Sequence, residues 1–175
     1  MIRKGTDADI DRVAEIYDAI LTAEEEGKTA IGWKRGIYPT RKTAEAAVYA
    51  GDLFVMEHNS RVIAAARINQ IQVPEYKDAL WQYQNTADDK IMVLHTLVVD
   101  PEVSGKGFGT EFVKFYEEYA LSHDCPYLRM DTNAKNTAAR RLYARLGYCE
   151  VGIVPCVFNG IKGVSLVCLE KYLER

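Results

Sequence analysis

At 175 residues, 48% hydrophobic and 27% charged, the chain has the size and composition of one globular domain with its own core, which excludes a disordered protein. A formal net charge of -3 offers no basic field for a phosphate backbone, so DNA and RNA are set aside as partners. Cys125, Cys149, Cys156 and Cys168 form no C-x-x-C pair, the three histidines form no H-x-x-x-H spacing, and no run approaches about eighteen apolar residues. The expectation is therefore a cytoplasmic protein with reduced thiols, no metal and no membrane contact.

In chain order, Ile10, Val13, Ile16, Tyr17, Ile20 and Leu21 repeat at helical spacing, with Thr6 or Asp7 available as a cap. The segment EEEGKTAIGWKRGIYPT breaks that period with Gly27, Gly32, Gly36 and Pro39, after which Thr40 caps a short helix through RKTAEAAVYA ending at Gly51. LFVMEH and RVIAAARIN, joined by Asn59 and Ser60, read as a strand pair with a tight turn. The span from IQVPEYKDALWQ to Lys90 is polar, aromatic and interrupted by Pro74, and reads as a loop before a long apolar strand, Ile91–Val99. Phe112, Val113, Tyr116, Tyr119 and Ala120 then mark a helical face, followed by a buried strand, YLRMDT. A helix from about Lys135 to Leu146 stops at Gly147, and two strands, YCEVGIVPCVF and GVSLVCLEKYL, complete the chain. This order predicts an α/β protein with a mixed sheet covered by helices.

Between the apolar strand and the helix that follows it stands SGKGFGT, with glycine at 105, 107 and 109. Amides of a turn entering a helix converge on one spot of positive potential, and glycines allow positive φ and close approach, so the stretch suits a phosphate. Lys106 and Thr110 are further donors. Neither G-x-x-x-x-G-K-[ST] nor G-x-G-x-x-G is present, which disfavours an unrelated ATP or NAD site.

The run LVVDPEVSGKGFGTEFVKFYEEYA, with NTAARRLYARLGY downstream, resembles the paired signature of the GCN5-related N-acetyltransferase (GNAT) superfamily. The resemblance implies a single N-acetyltransferase domain over 1–175, built on a mostly antiparallel mixed sheet of about six to seven strands with a splayed or bulged central strand and about four helices. It implies acetyl-CoA as acetyl donor, with its pyrophosphate on the turn Ser104, Gly105, Lys106, Gly107, Phe108, Gly109 and Thr110. Gly107 and Gly109 match the family's loop, whereas Ser104 replaces its usual arginine or glutamine and removes one side-chain contact. It further implies that pantetheine pairs with Leu97, Val98 and Val99 and contacts Asn136, and that Tyr143 protonates the departing thiolate. Taken alone, Leu97–Val99 is a core strand and Tyr143 a packed core residue.

The amine acceptor has to lose a proton, and His95 is the first candidate base, placed by strand alternation on the face of Leu97 and Val99. Asp131 and the carboxylates of the early loop are rivals. Trp33 and Tyr38 are the candidate substrate contacts, while Glu24, Glu25 and Glu26 read either as an amine attractor or as a solvated face. The expected activity is direct acetyl transfer to a primary amine of a small molecule or peptide in a ternary complex. The alternative is a non-catalytic acyl-CoA-binding regulatory module of the same fold, suggested by Ser104 and by the lack of an obvious glutamate on the central strand. A homodimer joined through Gly163–Glu170 as an edge strand is allowed.

Overall fold

The computed structural model describes residues 1–174; Arg175, the last residue of the expected domain, lies outside them. The chain opens on a strand that the sequence reading lacks: β1, Ile2–Lys4, pairs antiparallel with β2, Leu53–His58. Three residues are too few to show a period, and only β2 makes them a strand. α1, Ile10–Glu25, buries the predicted stripe of Val13, Ile16, Tyr17, Ile20 and Leu21. α2, Arg41–Tyr49, follows Thr40, whose amide donates to the Thr43 hydroxyl at 3.0 Å.

β2 turns through Asn59 and Ser60, both at positive φ (50° and 59°), into β3, Arg61–Asn69. The predicted loop before β4, Ile91–Val99, contains two short 3-10 turns, Pro74–Asp78 and Asp88–Lys90. It is pinned rather than loose: Trp81 Nε1 donates to the Tyr76 carbonyl at 2.7 Å, and the Arg129 guanidinium lies 4.1 Å from the centre of the Trp81 ring. The remaining elements are α3, Phe108–Ser122; β5, Tyr127–Asn133; α4, Thr137–Arg145; β6, Cys149–Phe158; and β7, Ile161–Tyr172. α4 starts two residues later than predicted because Asn136 is its cap: the side-chain oxygen accepts from the Ala139 amide at 3.1 Å.

The seven strands lie in the order β1-β2-β3-β4-β5-β7-β6, and β4 with β5 is the parallel pair in an otherwise antiparallel sheet. Gly163–Glu170 is therefore not an edge: β7 lies between β5 and β6, pairing with β6 from Ile161 to Glu170 and with β5 from Leu166 to Tyr172, so most of the pairing surface expected for a homodimer is already used. Chain order hides this, because the last strand inserts between its predecessors.

α3 and α4 cover one face of the sheet, packing Phe112, Val113 and Tyr143 against Met92, Leu128 and Met130. α1 and α2 cover the other, packing Val13, Ile16 and Ala44 against Val55, Ala65 and Val98. Buried Tyr116 of α3 ties the parallel strands together, since its hydroxyl faces the Met92 carbonyl at 2.6 Å and the Arg129 carbonyl at 3.2 Å. Tyr116→Phe leaves these acceptors without that donor and is expected to cost about 1–2 kcal/mol, read as a lower urea midpoint at unchanged slope. No helix among the described residues is long and apolar enough to cross a membrane.

Candidate active site

β4 and β5 pair only from Ile91 to Leu94 against Tyr127 to Met130. Beyond that point β4 continues to Val99 and β5 to Asn133 without pairing to each other, so the sheet opens as a wedge. On its other side β4 carries one extra residue: Ala65 faces Val98 and Arg67 faces His95, two steps against three, with Thr96 at φ 51°. The splayed and bulged strand expected at Leu97–Val99 is thus present.

The bulge corrects the placement of His95. Met92 and Leu94 pack toward α3, and so do Leu97 and Val99, whereas Ile91 and Val93 point to the opposite side of the sheet. The extra residue resets the alternation between Leu94 and Leu97, so His95 stands on the face opposite Leu97 and Val99. A period-two count cannot detect an inserted residue.

A cavity of about 960 Å³ fills the wedge. Leu97, Val98, Val99, Ser104, Gly105, Gly107, Phe108, Gly109 and Thr110 line it, as do Asn136 and Tyr143 from α4. Lys106 does not; its side chain is exposed beside the cavity. The glycines are not equivalent. Gly107, the cap of α3, has φ 90° and Gly105 has φ 78°, and a Cβ on either would meet nothing within 4 Å, so the space before the turn is open. Gly109 is helical, not at positive φ, and a Cβ there would meet Leu142 at 3.4 Å, an ordinary contact, so neither backbone conformation nor packing demands a glycine at this position. The free first-turn amides of α3, the open turn and the unpaired edge of β4 together fit an anionic group that continues into a peptide-like arm, the chemistry of coenzyme A. Asn136 spends its oxygen on the α4 cap, leaving its Nδ2 for a ligand.

Trp33 and Tyr38 line the same cavity, with ring centres 5.8 Å apart at 83°. Their loop is held by Glu24, whose carboxylate accepts from the Ile31 amide at 2.5 Å and the Gly32 amide at 2.9 Å, and Tyr38 bonds the bulge residue Thr96 through their hydroxyls. Of the acidic run, Glu25 pairs with Arg35 and Glu26 with Lys28, so its role here is structural.

Three titrating groups meet in the wedge. Asp131 lines the cavity and accepts from the Tyr76 hydroxyl at 2.7 Å. Protein surrounds it, although the cavity reaches it, and this desolvation raises its pKa to about 6 against the opposing Tyr76 bond. Burial pushes the Tyr143 phenol well up, with Asp131 adding to the effect, so it stays protonated at neutral pH. The Tyr143 hydroxyl has no hydrogen-bond partner among the described residues. His95 is lowered to about 4, chiefly by burial and then by the Arg67 charge.

The ring of His95 is held in one tautomer. Asn69 Nδ2 donates to Asp52 at 2.6 Å while its Oδ1 accepts from the Ile71 amide at 2.9 Å, which settles the orientation of the amide. His95 Nε2, 2.8 Å from that Oδ1, is therefore the donor, and Nδ1 keeps the lone pair. Asp52, Arg67 and Asn69 belong to no sequence motif; their one signal is in RVIAAARIN, where Arg67 and Asn69 at alternate positions interrupt an apolar strand.

Three comparisons bear on this geometry. The sequence model of the Acetyltransferase (GNAT) family matches residues 12–148. An uncharacterized N-acetyltransferase of Methanocaldococcus jannaschii is 34% identical over 77 residues, 43% of this chain and 49% of that protein, so the match spans about half the length of the relative. Among solved structures, a GNAT-family acetyltransferase from Streptococcus agalactiae superposes with TM-score 0.83 at 22% identity, over 100% of this chain and 96% of that one. The yncA protein of Salmonella typhimurium, solved with its cofactor acetyl-CoA, gives 0.68 at 20% identity over 100% and 94%. At such identities the structural likeness is one of fold.

Proposed function

The chain belongs to the acetyltransferase (GNAT) family, and on that premise we propose that residues 1–175 form one acetyltransferase domain that moves an acetyl group from acetyl-CoA directly to a primary amine of a small molecule or peptide. The observation that carries this reading is the unpaired stretch of β4, which runs between the open glycine turn at one end and Asp131 and Tyr143 at the other. In it, the amides from Gly105 to Thr110 hold the pyrophosphate, Leu97–Val99 and Asn136 align the pantetheine arm, and Trp33 and Tyr38 wall the acceptor. When bound, acetyl-CoA supplies an activated acetyl thioester. Tyr143 keeps a proton on its hydroxyl for the leaving sulfur, and most of the rate comes from holding both reactants in register.

The base in this reading is Asp131. A carboxylate with a pKa of about 6 is ionised at neutral pH and still basic enough to accept a proton, and the opening of the wedge gives it access. His95 is the second reading, since it lines the same cavity, but at about 4 it is a weak base. The pH dependence of kcat/KM separates them: an acid limb near 6, lost in Asp131→Asn, supports Asp131, whereas a limb near 4 that survives this substitution assigns His95. The same substitution has a thermodynamic signature. Because the folded-state pKa of Asp131 lies above its ordinary value of 3.8, the native state binds the extra proton, and stability falls as pH rises from about 4 to 6. Asp131→Asn is therefore expected to slow turnover yet raise the melting temperature at pH 7. Coenzyme A binding without turnover of any amine in a broad panel would favour the non-catalytic acyl-CoA-binding module instead.

A further inference from the structure

We propose that the acceptor is a small amine that also carries a carboxylate, a free amino acid rather than a peptide terminus, and that Arg67 receives that carboxylate; the inference rests on the acyl-transfer reading above. Arg67 lies on β3 in the wall of the cavity, its side chain about a quarter exposed at 26%. One edge of its guanidinium is occupied: Nε and Nη2 each donate to Asp52 at 2.8 Å. Nη1 has no hydrogen-bond partner among the described residues. A guanidinium carries five N–H groups, and a pair made through Nε and Nη2 leaves the Nη1/Nη2 edge as a second fork of the shape that matches a carboxylate.

Asp52 fixes the plane of that fork. It is buried, and Asn69 holds its second oxygen as well, so it cannot turn away to expose a different edge of Arg67. The charges also leave room for an anion. Asp52 is within electrostatic reach of two cations, Arg67 and Lys4, so the trio is net positive. His95 adds no charge near neutral pH.

Across the cavity the sign reverses. Asp131 and Arg67 act in opposite directions on the Tyr38 phenol, which places that ring within the field of both. A zwitterion suits such a wall, with its ammonium toward Asp131, its carboxylate on Arg67 and its body against Trp33 and Tyr38. A peptide terminus offers the amine and a neutral carbonyl, and leaves the fork of Arg67 without its anion.

The test measures initial rates of coenzyme A release with acetyl-CoA for the twenty L-amino acids and for their carboxamides, which mimic peptide termini, in wild type and in Arg67→Lys. Lysine retains a charge beside Asp52 but has no fork. The expected result is at least one free amino acid used about tenfold or more better than its carboxamide, with that preference collapsing in Arg67→Lys through KM. A double variant, Asp52→Asn with Arg67→Gln, removes both charges together and is expected to lose the same preference if Arg67→Lys folds poorly. Carboxamides used as well as the acids, turnover confined to carboxylate-free amines, or an acid preference that survives in both folded variants each overturns the proposal. Stabilisation by coenzyme A, read in parallel, keeps the two readings apart. If coenzyme A stabilises the protein and no free amino acid is used, the carboxylate assignment alone fails; if coenzyme A has no effect and no amine is turned over, the acyl-transfer reading fails and takes this one with it.

Discussion

Gly107→Val is expected to erase the stabilisation that acetyl-CoA confers on the wild-type protein. At about a hundred times its dissociation constant a ligand that binds only the native state contributes about 2.7 kcal/mol, which for a chain of this size moves the melting temperature by about 5–10 °C. The substitution acts twice. Gly107 stands at φ 90°, where a β-branched residue is strained, so the cap of α3 shifts; and its side chain enters the open space before the turn, where the ligand oxygens would approach. Backbone strain alone can be subtracted with Gly51→Val. That residue has φ 69°, has open space at its Cβ and is not part of the cavity wall. Scans with acetyl-CoA, coenzyme A, ATP and NAD check both variants. Loss of the acetyl-CoA response in Gly107→Val but not in Gly51→Val supports the cradle. Equal responses in both, or a wild-type response to ATP or NAD alone, removes it.

Tyr143→Phe is expected to lower kcat by about a hundredfold while leaving acetyl-CoA binding and folding nearly unchanged. The hydroxyl carries the effect. It faces the cavity from a residue that is otherwise buried, it has no partner among the described residues whose loss would destabilise the protein, and burial keeps it protonated. Removing one oxygen from such a place deletes a proton donor and little else. Steady-state rates with a good acceptor, set beside the thermal response to coenzyme A, separate the outcomes. A fall in kcat with intact coenzyme A stabilisation supports the donor role. An unchanged kcat assigns Tyr143 to packing in the α3–α4 core, where its ring already contributes.

Much of the fold was legible because its determinants are local. The stripe of α1, the turn at Asn59 and Ser60, and the glycine that ends α4 each follow from side chains within a few positions of one another. The paired motifs around SGKGFGT and NTAARRLYARLGY were legible for the same reason, as were Trp33 and Tyr38 as neighbours in one loop.

What the amino-acid order could not reveal depends on partners distant in the chain. β1 exists only because β2 lies beside it, and β7 is interior only because it inserts between β5 and β6. His95 changes face because one residue bulges from β4 opposite Ala65 and Arg67, an event that leaves no trace in hydrophobic period. The Asp52, Arg67, Asn69 and His95 chain draws residues from the turn between α2 and β2, from β3 and from β4 into hydrogen-bond contact. The helices, most strands, the glycine turn and the family likeness follow from amino-acid order, since each rests on spacing or on backbone freedom at single positions. The strand order, the opening of the wedge, and the burial that raises Asp131 and lowers His95 arise in the folded chain, because pairing and desolvation are properties of what the fold brings alongside a residue.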